Sequence, residues 1–217
     1  YPTVSHAPTS PFPTVSFAPT TSWQVGMESN LDFSDCNLDD RIGSMDASLV
    51  GATCEVGSGV YFDGFSGYVS FGSMYLGGTM TISVLVYAES PGTLFDFSSS
   101  TYYSSYYTLA GELFDDYATW HYAYYAYCSW YGGSYCTTTY GYYDTSGDDD
   151  NTGVLNQWKV ITYVHDSSYP YVWTIYEDDV QIGSYSSSSW YASPSLTWRD
   201  YNYLGRRANT GSGDYLT

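Results

Sequence analysis

Val60-Tyr61-Phe62-Asp63-Gly64-Phe65-Ser66-Gly67-Tyr68-Val69-Ser70-Phe71-Gly72, followed shortly by Thr79-Met80-Thr81-Ile82-Ser83-Val84-Leu85-Val86-Tyr87, decides the fold. Three runs rich in β-branched and aromatic residues, Val60 to Phe62, Tyr68 to Phe71 and Thr79 to Tyr87, are separated by Gly, Ser and Asp. That is the pattern of short strands joined by turns. On either side the pattern continues. Upstream, Trp23, Val25 and Met27 alternate; downstream come Thr93 to Phe97, a Tyr-rich hairpin or two between Tyr117 and Tyr143, and an acidic loop from Asp144 to Asn151. Trp158 to His165, Tyr171 to Tyr176 and Val180 to Tyr185 complete the set. Short, evenly spaced strands without helical periodicity predict an all-β protein, a two-sheet antiparallel sandwich or jelly roll.

The chain has 217 residues, room for one domain of roughly 190 residues plus an appendage. Aromatics make up 20% of it, Tyr alone filling 28 positions, whereas charged residues reach only 13%. Five Lys and Arg stand against 23 Asp and Glu, a formal charge of −18. A nucleic-acid partner is excluded because phosphate neutralisation needs clustered cations, and docking on an anionic membrane is disfavoured for the same reason. No membrane insertion is expected, since the most hydrophobic stretch, Met80 to Tyr87, is of strand length. With neither an initiator Met nor a signal peptide at its start, the sequence reads as a mature or trimmed product.

The four cysteines fall as two local pairs, Cys36 with Cys54 and Cys128 with Cys136, although three connectivities exist in principle. Cys128 and Cys136 bracket Gly132-Gly133 between aromatic runs, a hairpin signal that would bring the sulfurs together. Zinc is the competing reading, but the C-x-x-C spacing is missing and no His lies close in sequence. Two disulfides are therefore expected, implying an oxidising, extracellular setting.

Residues 1–22 differ from the 23–217 domain that follows. Five of the eight prolines lie at or before Pro19, and Thr and Ser fill most other places. Pro2-Thr3-Val4-Ser5-His6-Ala7-Pro8-Thr9 returns almost unchanged, eleven residues on, as Pro13-Thr14-Val15-Ser16-Phe17-Ala18-Pro19-Thr20. Such composition prefers extended geometry. In an extended chain Pro13, Val15, Phe17 and Pro19 share one face and the hydroxyl-bearing residues take the other. Because eleven is odd, one straight strand cannot keep both units facing the same way, so each docks separately or a kink at Ser10-Pro11 resets the phase. At about 3.1 Å per residue the arm spans roughly 70 Å, more than the diameter of the domain. Two readings stand: a mucin-like linker, or an assembly arm in which Val4, Phe12, Val15 and Phe17 dock on the next subunit. In the second, Thr3, Ser5, Thr9, Ser10, Thr14, Ser16, Thr20 and Thr21 carry O-linked glycans. N-glycosylation is not available because no Asn is followed by x-Ser or x-Thr.

The segment from Val60 to Gly72 resembles the "FDG-x-x-x-YV-x-x-G" stretch of laminin-G-like, concanavalin A-like jelly rolls. Met80 to Val86 is similar to that family's "TIS-x-WV" strand, with Leu85 where Trp is usual, and Gln157 to Tyr163 to its "W-H-x-V-x-V-T" strand. Trp173 to Val180 resembles its "LYVDG" hairpin, with Asp179 replacing Gly, and Tyr203-Leu204-Gly205-Arg206 its "YIGR". The likeness runs from about Trp23 to the last residue, with an atypical Tyr-rich middle, and implies a jelly roll. In the family the "GDY" segment, here Gly213-Asp214-Tyr215, precedes a closing strand, whereas this sequence stops at Thr217. Either more chain follows, or a strand from another copy fills the gap, with the arm as the candidate. The arm repeat also resembles, in composition, spacers of secreted filament and cell-wall proteins of diatoms and brown algae.

Enzymatic chemistry is not expected. The paired carboxylates of jelly-roll glycoside hydrolases, E-x-D-x-x-E or E-x-D-x-E, are absent, because Glu28, Glu55, Glu89, Glu112 and Glu177 lack acidic partners at the required offsets. His6, His121 and His165 have no nucleophile and acid arranged around them. No cofactor is expected. Asp148-Asp149-Asp150-Asn151 offers oxygen ligands to Ca²⁺ but lacks EF-hand spacing, and the reading preferred over a Ca²⁺ site is a solvated acidic loop. Trp130, Tyr131 and Trp190 form a candidate glycan platform, or else an interface or core face. The expected function is an extracellular structural subunit polymerising with copies of itself, head to tail through the arm. The alternative is a lectin-like module on a flexible linker.

Overall fold

The structure is a computed structural model that describes residues 31–40, 45, 47–99, 107–113, 118–125, 138–144, 155–188, 194 and 196–206, with backbone alone at 107–108, 118–125 and 138–144. The arm, the Trp23 to Met27 run and residues 207–217 lie outside them. Among the described residues no helix is long and apolar enough to cross a membrane. A single 3-10 turn, Phe33–Asp35, opens the described chain, capped by the Asp32 carboxylate, which accepts from Ser34 N–H. Among the described residues, everything else with regular structure is strand.

Among the described residues fifteen strands follow: β1 (Ala47–Val50), β2 (Thr53–Glu55), β3 (Gly59–Tyr61), β4 (Tyr68–Phe71), β5 (Met74–Leu76), β6 (Met80–Tyr87), β7 (Gly92–Ser98) and β8 (Tyr107–Leu113) come first. Then come β9 (Ala118–Tyr125), β10 (Thr138–Asp144), β11 (Trp158–Asp166), β12 (Tyr171–Glu177), β13 (Val180–Ser187), β14 (Thr197–Arg199) and β15 (Tyr201–Leu204). They form a seven-stranded sheet ordered β1-β4-β15-β7-β8-β9-β10, a four-stranded sheet ordered β13-β12-β11-β6, and two ribbons, β5 with β14 and β2 with β3. All strand pairs in the sheets are antiparallel. The expected all-β class holds, as a protein of several antiparallel sheets arranged in a sandwich.

Alternation along the strands delivers the core. Val69 and Phe71 of β4, Phe95 and Phe97 of β7, and Leu109 and Leu113 of β8 meet Val86 of β6, Ile161 and Tyr163 of β11, and Trp173 and Ile175 of β12 in one buried cluster. Burying each such side chain contributes roughly 1.5–3 kcal/mol. Phe95 and Tyr163 cross the gap between the sheets as a T-shaped pair 5.1 Å apart. They do so over Gly111, where an added Cβ would sit 2.5 Å from Phe95 Cε1 and 2.9 Å from Tyr163 Cζ. The Tyr-rich stretch supplies β9 and β10, paired from Thr138 with Tyr125 to Asp144 with Thr119.

Three of the motif segments have local physical causes. The Asp63 carboxylate accepts from the N–H groups of Phe65, Ser66 and Gly67 and from Ser66 Oγ at 2.8 to 3.0 Å, which closes the turn into β4. These donors hold it far below the usual carboxylate range. At the end of β15, Gly205 has φ +79° and lies against the Phe62 ring, while the Arg206 guanidinium covers Tyr68 and Tyr203 at 4.4 and 5.0 Å. Between β12 and β13, Asp178 and Asp179 both adopt positive φ, the geometry of a two-residue hairpin turn.

Candidate assembly edge

β6 carries no charge, no Pro and no Gly over eight residues. Its register with β11 is unbroken from Met80 opposite His165 to Tyr87 opposite Trp158. Both ends of the pair are tied. Thr79 Oγ1 lies 2.7 Å from Ser167 Oγ and accepts from Ser167 N–H at 3.0 Å, and Asn156 N–H donates to Ala88 O at 2.7 Å. β6 is the edge of the four-stranded sheet, and among the described residues no strand pairs with its far side.

The side chains sharpen this picture. Inward-facing Met80 and Val86 are buried, but Ile82 and Val84 between them are only half-buried although they pack on the core. Along the middle of β6 the sandwich therefore has a half-covered apolar slot, beside backbone donors and acceptors that no strand among the described residues pairs with. Outward lie Thr81, Ser83, Leu85 and Tyr87; Ser83 Oγ meets Thr162 Oγ1 at 2.9 Å, Tyr87 packs on Trp158, and Leu85 is 64% exposed.

The other sheet ends are blunted. β13 is rich in Ser, contains Gly183, and is irregular within its own pairing, where the register with β12 shifts between Ile175 and Tyr176. β1 has four residues, and β10 contains Gly141 and ends on Asp144. Short length, bulges and charge are the usual defences of a sheet edge, and β6 has none of them.

Two places in the four-stranded sheet bring charged or titratable side chains against specific partners. Lys159 Nζ pairs with Glu177 and, at 3.0 Å, with Asp178, which also accepts from Val160 N–H. The bond to Glu177 is the main cause that raises the Lys159 pKa. His165 is fully buried, its Nδ1 2.7 Å from Gly78 O and its ring 4.3 Å from Trp173. Burial pushes the imidazole below its ordinary value, against the opposing pull of the Gly78 carbonyl and Asp166.

A pH dependence follows. Below about pH 6.5 the unfolded chain takes up the His165 proton before the folded chain does, so stability falls as the pH drops and is flat above it. A second decline below about pH 4 comes from Asp63 and Asp178, whose carboxyl pKa values are lowered. Thermal melts from pH 8 to 3 check both phases. His165→Asn is expected to remove the first phase alone, which separates it from the general relief of acidic repulsion.

Of the residues singled out from sequence, Cys36 and Cys54 are bonded, with Cα atoms 5.7 Å apart. Cys128, Cys136, Trp130, Tyr131, Trp190, the Asp148 to Asn151 loop and every arm position lie outside the described residues. Among the described residues no three His, Cys, Asp or Glu side chains group as metal ligands. Sequence reading missed β6 as an edge, although its lack of charge in so acidic a chain was visible. It also missed the buried Arg199 and the exposed pair Tyr75 and Trp198. Fold and edge together define a class, an all-β sandwich in which, among the described residues, the long strand β6 has no strand paired on its outer side. No protein-family model matches the chain, and no curated protein matches it.

Proposed function

We propose that this protein is a non-enzymatic, extracellular structural subunit. Its sandwich is a concanavalin A-like jelly roll, and it polymerises head to tail by docking the arm, residues 1–22, of one copy on the next with one repeat of the arm along β6, and with O-linked glycans on the hydroxyl face of the arm. The observation that carries the reading is the uncharged β6 edge with Ile82 and Val84 half-covered beside it. Strand addition satisfies such an edge through main-chain hydrogen bonds and fills the slot with alternate side chains.

The arm suits that slot. Within each repeat the prolines share one parity, Pro2 and Pro8 in the first and Pro13 and Pro19 in the second. Residues of the other parity keep both N–H and C=O for the ladder, so the prolines need not interrupt pairing. In the second unit Val15 and Phe17 project on the proline side and match the apolar slot. The disulfide is compatible with an oxidising setting. Because donor and acceptor lie on different parts of one chain, the contact is heterologous and propagates as a filament.

The test is removal of residues 1–22. Electron microscopy and sedimentation of the full chain are expected to show filaments that the truncated chain does not form while its melting temperature is retained. Filaments from the truncated chain would overturn the reading.

A further inference from the structure

Resting on that reading, we propose that Tyr75 and Trp198 form a second contact, a seat for Pro8-Thr9-Ser10-Pro11 of the neighbouring copy, and that the arm consequently runs parallel to β6.

Tyr75 and Trp198 face each other across the β5–β14 ribbon with ring centroids 5.4 Å apart and planes inclined at 51°. They are 51% and 60% exposed, and Leu196, two residues before Trp198, is 56% exposed. The ribbon beneath them is braced. Arg199, fully buried, donates from Nε to Leu76 O at 3.2 Å and from Nη1 to Phe97 O at 2.9 Å. Asn202 Nδ2 donates to Gly72 O and Arg199 O at 2.8 and 2.7 Å, and Gly78 N–H to Pro194 O at 2.9 Å. Two large aromatic rings are thus fixed in position yet left in water, the arrangement that receives proline rings in polyproline recognition.

The chain carries its own ligand for such a seat. Pro8-Thr9-Ser10-Pro11 is a P-x-x-P segment that begins at the end of the first repeat and runs toward the second, and in polyproline geometry its prolines fall on one face about 9 Å apart. Charge complementarity points the same way. Every one of the 23 acidic residues follows residue 22, so the arm is free of Asp, Glu, Lys and Arg, and the exposed side chains of the seat are uncharged. Uncharged surfaces meet without desolvating an ion.

Connectivity then sets direction. β5 leads into β6 through Gly77-Gly78-Thr79, so Tyr75 lies at most about 18 Å from Met80 along the chain. Thr14 is three residue steps after Pro11, roughly 10 Å when extended. Pairing of the second repeat with β6 and seating of Pro8 and Pro11 on Tyr75 and Trp198 are both satisfied when Thr14 lies near the Met80 end. In the opposite direction the P-x-x-P segment would leave past Tyr87, about 25 Å from that end.

The test is a double-mutant cycle on the full chain, read as the concentration of half-assembly by light scattering. Trp198→Ala and the arm variant Pro8→Ala/Pro11→Ala are each expected to raise that concentration about tenfold, and their combination to raise it no further, because both delete one contact. Trp198→Phe is expected to retain most of the assembly. The arm variant leaves residues 31–206 untouched, so its effect is not one of misfolding. Wild-type assembly with unchanged or additive variants would overturn the seat while leaving the β6 contact standing. Loss in Trp198→Ala of retardation by laminarin gels, with assembly unaltered, would overturn it in favour of a sugar platform. A wild-type chain that never assembles would overturn both.

Discussion

Ser83→Lys/Leu85→Lys is expected to leave a folded monomer. Both positions are exposed on the outer side of β6, so the substitutions remove no buried contact, and surface changes of this kind stay within about 0.5 kcal/mol. Their effect falls on the incoming strand. Two ammonium groups on the edge must be desolvated or displaced when backbone pairs beside them, which is how natural sheets protect their margins. Sedimentation is expected to show the single chain at concentrations where the wild type is fully polymerised, with a melting temperature within about 2 °C. Polymer of the double variant at wild-type concentration would remove β6 from the interface. Comparison with the arm truncation then identifies which half of the contact is wrong.

Arg199→Met is expected to produce the largest loss of stability of any single change considered. The Met side chain matches the volume of the aliphatic stem but abandons Leu76 O and Phe97 O inside the protein. Unmet buried polar groups cost about 1–3 kcal/mol each, so a loss of about 3–5 kcal/mol is expected, or roughly 6–20 °C in melting temperature for a domain of this size. Chemical denaturation of the monomeric lysine variant would measure it free of assembly. The same substitution also loosens the ribbon that carries Tyr75 and Trp198. A change below about 1 kcal/mol would mean the guanidinium is not what braces β5 and β14.

The strands that alternate or run apolar were legible in the sequence. Met80 to Tyr87, Trp158 to Asp166, Tyr171 to Glu177 and Val180 to Ser187 lie within two residues of where the pattern ends them, because side-chain period and turn residues are local properties. β5, β8 and β14 were not legible. Three-residue strands show no period, and Tyr107 to Leu113 carries Gly111 and Glu112 at positions that only the facing Phe95, Tyr163 and Thr93 explain. The candidate site was legible in half. An uncharged β6 could be read, but its place at the margin depends on which strands pair, and β6 meets β11 some seventy positions later. Tyr75 and Trp198 are 123 positions apart and meet only through the ribbon. Asp63 lay within a motif whose purpose became visible once its carboxylate was seen gathering three backbone N–H groups.

The bond from Cys36 to Cys54 has a mechanical side. Leu31 and Phe33 pack against the core, and Gly57 N–H reaches back to Ser34 O, so the start of the described chain is stitched to the β2–β3 ribbon. Tension arriving through the residues before Leu31 therefore meets a covalent strut after five residues and crosses at Cys54 into a different part of the domain. In the proposed assembly, the pull of a neighbouring copy on the arm would enter the domain across this crosslink.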